Sequence, residues 1–72
     1  MTDAIPLHAT VALTEPVPSS RLRRGQVGTV VEEWEPGVYE VEFSGDDGRA
    51  FAMVALRADQ LMVLHFASEA AE

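Results

Sequence analysis

Residues able to do chemistry are scarce in this chain. It has no cysteine and two histidines, His8 and His65. A serine nucleophile would need a neighbouring base and an acid to orient that base. Ser19, Ser20, Ser44 and Ser68 fall in predicted turns or in the C-terminal tail, where serine is common for conformational reasons. The expectation is a protein without catalytic residues. His8 and His65 lie in the predicted first and last strands, which pairing could bring together. No close-spaced set of further ligands accompanies them, and a structural zinc site takes about four protein ligands. Neither a metal nor a cofactor is expected.

The charged residues carry more information. Glu32, Glu33 and Glu35 precede the dipeptide Pro36-Gly37, and Glu40 and Glu42 follow it. A hairpin through Pro36-Gly37 sets these carboxylates on adjacent strands, where side chains from both can gather on one side. Like charges facing each other across a sheet destabilise it, so the cluster is either tolerated as a solubilising surface or used to dock a basic protein. Trp34, Phe51 and Met53 are the apolar counterpart. If Ala52, Val54 and Leu56 fill the core, Phe51 and Met53 point outward, and Trp34 near the hairpin end can join them as an interaction patch. The alternative is a flattened sheet covered on both faces by loops or termini. Arg21, Arg23 and Arg24 form a basic group, read either as a solvated loop offsetting nearby carboxylates or as a nucleic-acid contact.

The whole chain sets the limits on these readings. Its 72 residues make one domain near the lower size limit for independent folding. A core of this size typically yields about 3–5 kcal/mol without a staple, and no disulfide is possible. Stability therefore rests on packing, with a partner or self-association as further sources. The hydrophobic fraction of 47% indicates a globular chain. A formal net charge of −7 repels a phosphate backbone and disfavours nonspecific nucleic-acid binding. All basic residues are arginine. No apolar run approaches the roughly 20 residues of a membrane span, and the N-terminus lacks the pattern of a signal peptide. A cytoplasmic location is the expectation.

The elements that must position these residues read as strands and turns. Residues 1–6 carry no periodicity and are expected to fray. Leu7 to Leu13 alternates, with Leu7, Ala9, Val11 and Leu13 on one face and His8, Thr10 and Ala12 on the other. Pro16 and Pro18 make the next segment a loop, anchored inward by Val17 and Leu22. Gly25 to Glu35 reads as the long central strand, with Gly28 marking a bulge, a bend or a close approach of another backbone. Because Val30 and Val31 are both apolar, the pattern leaves its inward face open. Glu35-Pro36-Gly37-Val38 suits a type II turn. Tyr39, Val41 and Phe43 should face the core, with Glu40 and Glu42 outward. Ser44 to Arg49 is a second hairpin loop, Ala50 to Leu56 the next strand, and Arg57 to Gln60 a single 3₁₀ turn. Leu61 to Phe66 reads as the closing strand, and residues 67–72 as a flexible or helical tail.

This order of elements resembles the SH3-like small barrel, an all-β roll of about five strands with a short 3₁₀ turn before the last. From about Val11 to Leu64 the chain resembles a family of short bacterial proteins known only as a domain of unknown function. The segments that carry the likeness are Arg24-Gly25-Gln26-Val27-Gly28-Thr29-Val30-Val31-Glu32, Tyr39-Glu40-Val41-Glu42-Phe43 and Ala58-Asp59-Gln60-Leu61. The Gly-x-x-Gly-x-Val core is also similar to the KOW motif of ribosomal and transcription-elongation proteins and to the barrel of the nitrile hydratase β subunit. The family resemblance implies a fold and no established activity, so three functions stay open. The first is a non-enzymatic protein-interaction module, with an antitoxin or immunity-type partner of a basic protein as its concrete form. The others are an RNA- or ribosome-associated module and an accessory subunit of a larger enzyme. Fold alone does not choose among them.

Overall fold

A computed structural model describes residues 4–45 and 47–66. The chain is all-β: β1 (Thr10–Leu13), β2 (Val27–Glu35), β3 (Val38–Ser44), β4 (Ala50–Arg57) and β5 (Leu61–Val63). All pairings are antiparallel, in one sheet of order β4-β3-β2-β1-β5. Single 3₁₀ turns occupy Pro18–Ser20 and Ala58–Gln60. No helix among the described residues is long and apolar enough to cross a membrane.

One hydrophobic cluster holds the sheet together. It joins Val11 and Leu13 of β1, Val30 of β2, and Tyr39, Val41 and Phe43 of β3. Leu56 from one border strand and Leu61 from the other belong to the same cluster, so the sheet coils until both borders share a core. No ladder joins β4 to β5 among the described residues. Val17 and Leu22 exchange both backbone hydrogen bonds, at 2.9 and 3.1 Å, and fold the β1–β2 loop inward as anchors. The alternation of β3 comes out as its sequence predicts, with Tyr39, Val41 and Phe43 at most 2% exposed. The Pro36-Gly37 turn has Gly37 at φ 85°, as a type II turn requires. The 3₁₀ turn before the last strand is also present.

Five expectations need correction. The first strand does not begin at Leu7. Ala9 N–H donates to the Pro6 carbonyl at 3.2 Å, closing a turn in which His8 takes φ 68°. That turn lifts Leu7 off the core face and leaves it 55% exposed. Ala12, expected on the outer side, is nevertheless buried, because Val27 and Met62 flank its small side chain on the neighbouring strands. The last strand stops at Val63 rather than Phe66, since its partner β1 ends at Thr10; Leu64 N–H makes the final bond to the Thr10 carbonyl, and Phe66 is 83% exposed. The long strand starts at Val27, after a turn with Gly25 at φ 89°, rather than at Gly25 itself.

The fifth correction concerns the lead-in. Residues 1–3 lie outside the described residues, but Ile5 is fastened: its N–H donates to the Tyr39 hydroxyl at 3.0 Å and its side chain packs on the core. His8 N–H adds a bond to the Val30 carbonyl at 2.7 Å. The tail 67–72 also lies outside the described residues.

Candidate functional site

Glu40 and Glu42 organise the outer face of the β2-β3-β4 part of the sheet. They alternate with the core residues of β3 and therefore point away from the core. Glu42 sits between Thr29 of β2 and Met53 of β4; Glu40 sits between Glu32 and Ala55. In the next row Val38 lies between Glu35 and Arg57.

Two irregularities in β2 decide which glutamates share that face. The ladder shifts between Val30 and Glu32 and again between Glu33 and Glu35. At the first shift Val31 is the extra residue, which resets the pleat and carries Glu32 outward opposite Glu40. Glu33 then falls opposite Tyr39, on the core side of the sheet, away from Glu32, Glu40 and Glu42. At the second shift Trp34 is the extra residue and returns to the outer face, where its Nε1–H donates to Glu40 Oε1 at 2.9 Å. Glu35 follows it outward, opposite Val38. Gly28 marks no bulge. It pairs in register with Val11, and a Cβ there would lie 2.8 Å from the Glu42 carbonyl, so its role is close backbone approach.

The apolar candidates are exposed as expected: Trp34 by 63%, Phe51 by 56% and Met53 by 53%. They do not form one continuous patch. Trp34 and Met53 lie on either side of the Glu40–Glu42 row, and Phe51 sits at a third irregularity between Phe43 and Ser44, beside the turn at Gly45. The face therefore alternates carboxylates with an aromatic ring and a thioether. This arrangement can receive a cationic side chain, with carboxylates for its charge and a ring face for its apolar stem.

The remaining candidates lie elsewhere. Arg21, Arg23 and Arg24 are exposed in the β1–β2 loop, where Arg21 takes φ 57° and Arg23 N–H donates to Gln26 Oε1 at 2.8 Å. Among the described residues they pair with no glutamate; the sole ion pair there joins Arg57 to Asp59 at 3.0 Å. The β1–β5 ladder ends at Val11–Val63, short of both histidines. No group of His, Asp or Glu that could hold a metal occurs among the described residues, and no charged side chain among them is buried.

An open cleft of about 710 Å³ was not foreseen from the sequence. Glu33, Pro36, Tyr39, Arg57, Asp59 and Ala4 line it. Those residues come from segments far apart in the chain, so no local motif announces the cleft.

The residues that build this sheet are the ones a family model recognises: Leu7 to Val63 match the model described as Domain of unknown function (DUF4926). The chain belongs to that family. No curated protein and no solved structure matches it significantly. Membership of the DUF4926 family spans all five strands and both faces of the sheet, and it brings no assigned chemistry to any residue of the outer face.

Proposed function

We propose that this DUF4926 member is a non-enzymatic interaction module whose outer face docks a basic segment of another protein. The carrying observation is the cross-strand juxtaposition of Glu32 with Glu40, next to Glu42 and flanked by exposed Trp34 and Met53. Like charges held opposite each other reduce sheet stability, and a cationic partner relieves that repulsion. Arginine or lysine side chains suit both the carboxylates and the Trp34 ring. Neutralisation of a basic toxin, or an immunity function, is the concrete form of this reading. The strand order, with β1 held between β2 and β5 and a 3₁₀ turn before β5, supports an SH3-like roll as the scaffold.

Trp34 is the sole tryptophan and serves as the reporter. Titration with an arginine-rich peptide should change its fluorescence, and Glu40→Lys with Glu42→Lys should weaken that binding about tenfold, or ~1.4 kcal/mol. Unchanged binding in the doubly reversed variant sinks the proposal. Pull-down from native cells then identifies the physiological partner.

A second reading rests on Arg21, Arg23 and Arg24, which are exposed together in one loop with no carboxylate partner among the described residues. An RNA contact there would show salt-dependent binding. No binding at low ionic strength removes it. An accessory-subunit role predicts co-purification with a larger enzyme and a change in that enzyme's activity.

A further inference from the structure

β4 is one border of the sheet, paired with β3 on one side and, among the described residues, with no strand on the other. The direction of its backbone groups follows from a single bond: Ala58 N–H donates to the Gly37 carbonyl at 2.9 Å. Antiparallel ladders alternate, so Leu56 and Val54 turn their N–H and C=O groups toward β3, while Met53 and Ala55 present theirs outward. Between Ala50 and Leu56 there is no charge, no proline and no glycine. Sheet borders are normally blunted by such residues, and this one lacks them.

The charge distribution selects what can lie against this border. Two copies of a chain with net charge −7 repel each other across most approaches. Five glutamates lie on β2 and β3, inside the sheet, whereas the border strand is uncharged from Ala50 to Leu56 and ends in Arg57. β5, the opposite border, has only Leu61–Val63 to offer. We propose that β4 pairs antiparallel with β4 of a second copy, about a two-fold axis through Val54, so that the two sheets become continuous.

Register follows from pleat and charge. Outer-face residues must oppose outer-face residues, so the axis passes through a residue rather than between two. An axis through Met53 would set Arg57 against Arg49 of the second copy. An axis through Val54 instead sets Met53 against Ala55 and Ala52 against Leu56, and brings Arg57 to the irregularity at Phe51 of the second copy. The Arg57 guanidinium then lies near an aromatic ring rather than near a second arginine. Axes farther from the middle of β4 pair fewer residues.

Sedimentation of the full chain over a range of concentrations tests this. The expected mass rises to twice the 7.8 kDa of one chain. Ala55→Pro removes an outward N–H without removing a bond to β3 and should lower that mass twofold. If Ala55→Pro fails to fold, Ala55→Lys places a charge on the border and should do the same. A wild-type chain that stays monomeric at the highest concentration overturns the proposal, as does a folded Ala55 variant that still dimerises. Because the chain has no cysteine, single substitutions fix the register: oxidation should link copies carrying Val54→Cys but not Met53→Cys, since Val54 forms the close, non-hydrogen-bonded pair on the axis. The reverse pattern overturns the Val54 axis. Ala55→Pro and Val54→Cys leave Glu32, Trp34, Glu40, Glu42 and Met53 intact, so the result they give is separable from peptide binding on the outer face.

Discussion

Gly28 shows how one residue type can be imposed by the backbone across from it. A Cβ at this position would meet the Glu42 carbonyl and Val41 Cγ1 at 2.8 Å and Phe43 Cδ1 at 2.9 Å. None of these can swing aside, because the carbonyl belongs to the sheet and both side chains are fully buried. Two effects oppose each other in Gly28→Ala. Alanine loses less chain entropy on folding, a gain of about 0.5–1 kcal/mol in regular structure. The forced overlap costs about 1–3 kcal/mol by displacing packed core atoms. The overlap wins, and Gly28→Ala should lower the urea midpoint at unchanged denaturant slope. An unaltered midpoint would mean that β2 can move away from β3 without loss.

At the level of the elements, turns and alternation are the local signals, and they set most of the architecture. Gly37 at φ 85° and Gly48 at φ 80° fix the two hairpins. A β-branched side chain is strained in that region by about 1–2 kcal/mol, so Gly37→Val should lower the melting temperature while leaving the sheet's circular dichroism intact. Unchanged melting would show that the turn can adopt another type. Tyr39-Glu40-Val41-Glu42-Phe43 and Pro36-Gly37 are legible in the sequence because each depends only on its own residues. The bulges of β2 are not legible. Val30-Val31-Glu32-Glu33-Trp34 does not show which residue is skipped, and only the ladder to β3 decides it. Gathering of Glu32, Glu40 and Glu42 could thus be read from the hairpin, whereas the departure of Glu33 to the Tyr39 side could not. The short β1 and β5 share one hidden cause, a left-handed turn residue at His8 where glycine or asparagine would have announced it. The cleft beside Tyr39 was illegible for a related reason, since it exists only once the Pro36-Gly37 turn, the Ala58–Gln60 turn and the N-terminal segment converge.

At the scale of the whole molecule, the question is whether the acidic face is a solubilising coat or a working surface, and Glu32 separates the two. Glu32 opposes Glu40 across the β2–β3 ladder, within a chain of net charge −7. Glu32→Lys turns that repulsion into an attraction and reduces the net charge by two, which should stabilise the isolated protein by about 0.2–1 kcal/mol. Added salt screens the same repulsion, so wild-type stability should rise with ionic strength more than that of the variant. A coat kept only for solubility loses nothing else when Glu32 changes sign. A docking face loses affinity for an arginine-rich peptide in the same variant that unfolds later in urea. Opposite movements of stability and binding are therefore the expected signature of Glu32→Lys, measured by urea unfolding and Trp34 fluorescence titration on the same sample. A variant that gains stability and binds the peptide as the wild type does would reduce the cluster to a coat.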